Sequence, residues 1–153
     1  MAILSDTTWE RHANPYSGWT RVLSMPALAI GLYLHNFWIL AAVLIWLIIN
    51  PMIFPKPHST NNWMSKGVLG EQLYFAEGKK LKKDLPTLLN IINIPVFIAF
   101  IYFGWQQELV PMILAGLLTM TIKFWFIDRM AWLASDTDTH PSTQSPSSPQ
   151  KQP

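Results

Sequence analysis

The chain has 153 residues, half of them hydrophobic and 13% charged, with a formal net charge of +2 and no cysteine. The charged fraction is about half that of ordinary soluble domains, and the lack of cysteine excludes disulfides and thiolate metal ligands. So small a net charge, with the basic residues gathered beside apolar segments, makes nucleic acid a poor partner.

The charges leave long gaps. None falls in residues 22–55 (34 residues) or 85–107 (23 residues), and residues 109–122 are also charge-free before Lys123 interrupts a run that continues to Ile127. A spanning helix needs about 20 mainly apolar residues. A chain this short lacks the volume to bury three such helices and still present a polar surface. The expected class is therefore an all-α integral membrane protein, multi-pass, in the cell membrane. The first twenty residues are polar and lack the positive start and apolar core of a signal peptide, so the first hydrophobic region is expected to stay in the mature protein.

The first feature in chain order is WERHANPYSGWTR, residues 9–21, which sets Glu10, Arg11, His12, Asn14, Thr20 and Arg21 among Trp9, Tyr16 and Trp19. Asn14-Pro15 reads as a turn. The hydrophobic stretch that follows has two readings. A single helix over 22–50 would be about 43 Å long, against a hydrocarbon core of about 30 Å, and would need a strong tilt. A break at His35-Asn36 gives two short segments, 22–34 and 37–50, each about 20 Å long, folded as a hairpin. Pro26 falls in the first turn on either reading, and Trp38 suits an interface. Asn50-Pro51 is expected to end the helix, with Pro55 and Pro57 keeping the next residues extended.

Ser59, Thr60 and Asn62 offer N-caps for a helix over 62–76. There Trp63, Val68 and Tyr74 would touch the interface while Lys66, Glu71 and Gln72 stay wet or face a partner. Gly67 and Gly70 permit close approach, and Gly78 would end the helix before KKLKKD. Residues 85–107 read as a span with Asn90 and Asn93 on one face, Pro95 as a candidate kink, and Trp105, Gln106 and Gln107 at the exit. Glu108 opens the last helix, with Pro111 in its first turn. It is expected to run to about Leu133, with Lys123 snorkelling and Phe124, Trp125, Phe126 and Trp132 belting that end. The Ser/Thr/Pro-rich residues 135–153 read as a disordered tail, leaving 1–134 as a single membrane domain.

The loop over 56–84 carries six lysines and three acids, while the turn before Leu109 has no Lys or Arg. The positive-inside rule puts that loop and the C-terminal end in the cytoplasm. A single long first helix would leave Arg11 and Arg21 outside. The hairpin puts them inside and agrees better with the rule. The preferred architecture is four hydrophobic helical segments, the first two short, plus a juxtamembrane loop helix; three spans are the alternative. The hairpin also brings every polar motif to one side of the membrane.

Those motifs, ERHANP with Thr20-Arg21, then NP..FP.P, NW..K.VLGE and KFWFIDRM.WL, resemble a small family of bacterial and archaeal membrane proteins of unknown function, DUF6653. The resemblance covers roughly residues 8–133. It implies a membrane protein for which the polar stretches are characteristic, and it assigns none of them a role. Family members often place an arginine and tryptophans near residues 35–38; this chain has no arginine there.

Three functional classes fit these residues. A structural or accessory membrane protein, in contact with lipids and assembling with itself or another membrane component, ranks first. Its Arg11, Arg21, Lys66 and Arg129 would anchor phosphates or pair with Glu10, Glu71 and Asp128. A membrane enzyme acting on a lipid or other amphiphile ranks second. It would use His12 or Glu71 for acid–base chemistry and Arg21, Lys66 or Arg129 to hold an anionic group. A transporter ranks third, since no ionisable group lies deep in a span, and it would need an oligomer because a monomer of so few helices makes a poor pore. Among His12, His35 and His58 no metal-binding spacing occurs. A composite zinc or iron site from His12, His58, Glu71 and Asp128 is open only if the hairpin brings them together. No cofactor is specified by the sequence.

Overall fold

The computed structural model describes residues 6–76 and 84–139. Among them every regular element is a helix: α1 (Asp6–His12), α2 (Pro15–Tyr33), α3 (Phe37–Ile53), α4 (Trp63–Ala76), α5 (Leu85–Trp105) and α6 (Leu109–Thr139). Two of these, Leu85–Trp105 and the Leu109–Thr137 part of α6, are long and apolar enough to cross a membrane, and α3 is a shorter apolar helix.

Asn14 caps α2 by accepting from Tyr16 N, with Pro15 in the first turn, where its missing N–H costs nothing. The chain then reverses at His35. Leu34 closes α2, His35 takes a left-handed φ of 49°, and Asn36 caps α3 by accepting from the amides of Trp38 and Ile39. The second reversal repeats the first. Gln107 has φ 60°, and Glu108 N donates to Phe103 O as Asn36 N donates to Gly31 O, both at 2.9 Å. Such six-residue closures use a left-handed residue, usually glycine; here histidine and glutamine fill the position. The turns are tied to each other. His35 Nε2 lies 2.8 Å from Trp105 O, and Gln107 Nε2 donates to Tyr33 O at 2.8 Å.

The fold is thus two antiparallel hairpins, α2–α3 and α5–α6, with their turns at the same end. Near the turns Leu32, Phe100 and Met112 form one core, packed through Gly104, where a Cβ would sit 3.0 Å from Leu32. At the other end Tyr74, Leu89, Ile122, Phe126 and Met130 form a second core. There α4 runs alongside the last half of α6 in the same direction, with contacts ordered Trp63–Phe124, Gly67–Ile127 and Gly70–Met130. α1 crosses the ends of α3 and α4.

Several expectations change. α2 begins at Pro15, so Pro26 lies inside it rather than in its first turn. α3 passes Pro51 and ends at Ile53. A proline in the last turn removes one hydrogen bond, to the carbonyl four residues back, and the carbonyls just past it are held by α1 and the turn that follows it: Arg11 Nη1 donates to Met52 O (3.2 Å) and Asn14 Nδ2 to Pro55 O (2.9 Å). Val68 and Tyr74 are buried within the protein rather than at its rim: Tyr74 packs into the core with Phe126 and Met130 of α6, and Val68 lies on the face of α4 that lines an internal cleft. α6 continues to Thr139, beyond Leu133. The expected stop at Gly78, the lysine cluster at 79–83 and the tail beyond 139 lie outside the described residues.

Candidate functional site

The opening motif divides its polar residues between two tasks. Successive residues on a helix point about 100° apart, and Glu10, Arg11 and His12 go three ways. Glu10 pairs with Lys56 at 3.1 Å in an exposed ion pair. Arg11 holds the end of α3, where a cation also suits the helix dipole. His12 turns inward and is 5% exposed.

Beside it buried hydrogen bonds tie α2 to α3 and the α1–α2 turn to α4. Ser17 Oγ donates to Asn50 Oδ1 (2.7 Å), Asn50 Nδ2 donates to Thr20 Oγ1 (2.9 Å), and Ser65 Oγ donates to Ala13 O. Asn62 caps α4, accepting from Ser65 N at 2.9 Å. Ser17, Asn50 and Ser65 are wholly buried, and buried polar groups of this kind require partners. These motif residues are therefore accounted for by folding.

The other polar residues line a cleft of about 460 Å³ bounded by α1, α2, α4, α5 and α6. His12, Arg21, Glu71, Asn93, Thr119 and Lys123 provide its polar groups, and Met25, Met64, Phe97 and Met120 are among its apolar walls. Lys123 Nζ is 3.9 Å from Glu71 Oε1 and 4.6 Å from the centre of the Phe126 ring. Two cations, Arg21 and Lys123, face the single carboxylate of Glu71, so positive charge is in excess. Among the described residues, Arg21 Nε, Asn93 Oδ1 and Thr119 Oγ1 are buried without a hydrogen-bond partner. All three belong to residues lining this one cleft. An unmet buried polar group costs about 1–3 kcal/mol, so three around one space call for something to bond to them.

His12 sits at the inner edge. Burial, then the charges of Arg21 and Lys123, lower its pKa from 6.5 to about 4, so the imidazole is neutral at physiological pH. The one Ser17 proton is committed to Asn50 Oδ1. The 3.5 Å approach of Ser17 Oγ to His12 Nδ1 therefore calls for the proton on Nδ1, which leaves Nε2 as an acceptor.

Of the residues singled out from the sequence, His12, Arg21 and Glu71 come together in this cleft. Lys66, His58, Asp128 and Arg129 do not line it. Met64, Gly67, Val68, Glu71 and Phe75 form the inner face of α4, whereas Lys66, Leu69 and Gln72 line a separate outer groove together with His58. Asp128 falls outside the α6 stripe of Thr119, Met120, Lys123, Phe124 and Ile127. It accepts from Trp63 Nε1 at 3.1 Å and pairs with exposed Arg129 at 3.5 Å. The composite set His12, His58, Glu71 and Asp128 consequently does not converge, and among the described residues no three His, Asp or Glu side chains are grouped to hold a metal. Lys123, read as a snorkelling lysine, lines the cleft. Asn93 and Thr119 were legible only as polar interruptions of apolar runs, which is the signal that could have marked them.

Fold and cleft together define an all-helical protein of two apolar hairpins with an ionic cleft at the end opposite their turns. The chain belongs to the family of unknown function DUF6653, whose family model matches residues 2–151. Comparison with curated proteins and with solved structures found no match.

Proposed function

We propose that the protein is a multi-pass membrane protein in which α2, α3, α5 and α6 all lie in the bilayer. Its cleft, at the cytoplasmic face, binds an anionic ligand in an accessory role. The membrane reading is supported by the exposure of the apolar helices. Only 17% of the apolar window of α5 and 22% of that of α6 are buried within the protein, whereas a core helix of a soluble protein is mostly buried. The outer face of α3 is likewise apolar and exposed at Leu44, Ile45, Ile48 and Met52. Aromatic groups sit at both ends, Trp38 and Trp105 near the turns and Trp19, Trp63 and Trp132 at the cleft end, as interfacial belts do.

The observation that carries the ligand reading is the coincidence of the three unpartnered buried atoms with excess positive charge in one cleft. Arg21 Nε is a donor and suits an anionic oxygen; Asn93 Oδ1 is an acceptor and needs a donor. A ligand that satisfies both carries an anion and a hydroxyl or similar donor, as glycerol phosphate does. Thermal unfolding of the detergent-purified protein tests this. Glycerol phosphate should raise Tm with concentration, as a ligand of the native state must, and Arg21→Gln should remove the rise. No shift in the wild type, or the same shift in Arg21→Gln, contradicts the reading.

A further inference from the structure

A second concavity continues the first. An almost wholly apolar groove of about 520 Å³ runs between α2, α5 and α6 from the middle of the hairpins toward their turns. Met25 and Met120 line both the groove and the cleft. Along α2 the sequence of linings is Arg21, Val22 and Met25 for the cleft, then Ala29, Ile30 and Tyr33 for the groove; α5 contributes Phe97 to one and Phe100 to the other. The groove follows α2 from Met25 to Leu34, about 14 Å at helical rise. Small residues make the space: Ala29 forms part of one wall, and Gly116 lies where a Cβ would sit 3.2 Å from the Phe100 ring.

Resting on the anion-binding reading above, we propose that the groove holds the hydrocarbon chain of the ligand whose head is bound in the cleft, so that the ligand is an anionic lipid with a glycerol phosphate headgroup. Charge complementarity fixes the head: Arg21 and Lys123 flank the cleft, and the buried Thr119 hydroxyl, 4% exposed, lacks a partner there. Continuity through Met25 and Met120 fixes the tail. A soluble anion would use the cleft and leave the groove without a role; a neutral lipid would use the groove and leave the cations uncompensated. The two methionines, flexible and polarizable, let one site take a head and a chain that differ in polarity.

The test uses the full chain in phosphatidylcholine vesicles containing a phosphatidylglycerol with a photoactivatable group in its acyl chain. Labelling should fall on groove residues such as Ala29 and Ile113 several-fold above the exposed α3 residues Leu44 and Ile48. Arg21→Gln should abolish that excess, because the chain is placed by its head. Ala29→Phe, which fills the groove, should also abolish it while leaving the thermal shift with glycerol phosphate intact. Ile113→Trp serves the same purpose should Ala29→Phe fail to fold. Equal labelling of groove and α3, or an excess that survives Arg21→Gln, overturns the assignment. A glycerol phosphate shift without groove labelling removes only the chain, whereas loss of both removes the anion reading as well.

Discussion

His12 shows how one residue links the buried hydrogen bonds to the cleft. Its pKa lies below the ordinary value, at about 4, chiefly through burial. Above pH 6.5 folded and unfolded chains both hold it neutral, and it adds no pH dependence. As pH falls from about 6.5 to 4 the unfolded chain takes up a proton that the folded chain refuses, so stability declines through that window and levels below it. The full shift corresponds to a loss on the order of 3 kcal/mol. His12→Gln removes the titration. Its Tm should fall less between pH 7 and pH 4 than that of the wild type; an equal fall would show that His12 is not the group responsible. At this scale the sequence was half legible. His12, Arg21 and Glu71 stand out as ionisable residues bordering apolar runs, whereas Glu10 and Arg11 look equivalent to them and are not. What separates them is the 100° step along α1, which has meaning only once α1 is docked across α3 and α4.

Among the elements, α4 decides which side chains reach the cleft. Its register against α6 is set by Gly70, where a Cβ would land on the Met130 carbonyl, and by Gly67 against Ile127. Backbone cannot rotate aside as a side chain can, so Gly70→Ala should destabilise by about 1–3 kcal/mol through overpacking, despite a helix-propensity gain of about 1 kcal/mol. Gly116→Ala meets a side chain, the Phe100 ring at 3.2 Å, which has to give by only a few tenths of an ångström, and should cost less than Gly70→Ala. Comparing their unfolding midpoints in detergent checks this; equal midpoints contradict the close α4–α6 approach. The sequence announced that approach through its two glycines and announced the α2–α3 turn through His35-Asn36. It misplaced the end of α3 because the donors that hold the carbonyls of Met52 and Pro55 come from Arg11 and Asn14, about 40 positions earlier. It also grouped His58 and Asp128 with Glu71 because being at the same end of the molecule does not fix which face of a helix a residue occupies.

At the scale of the molecule, one topological fact organises the rest: the two hairpin turns share one end and all the polar motifs share the other. If the hairpins cross the bilayer, the chain crosses four times and the cleft faces the lysine-rich side. Without a native cysteine, the chain allows single cysteines to be placed at will. Glu10→Cys, Asn61→Cys and Asp136→Cys report the cleft end, and Leu34→Cys and Gln106→Cys report the turns; all five positions are exposed. The most direct measurement is their labelling by a membrane-impermeant maleimide in sealed vesicles of both orientations. The first three should react only from the cytoplasmic side and the last two only from the opposite side. Labelling of Glu10→Cys from the same side as Gln106→Cys would mean a single first crossing and would contradict the account.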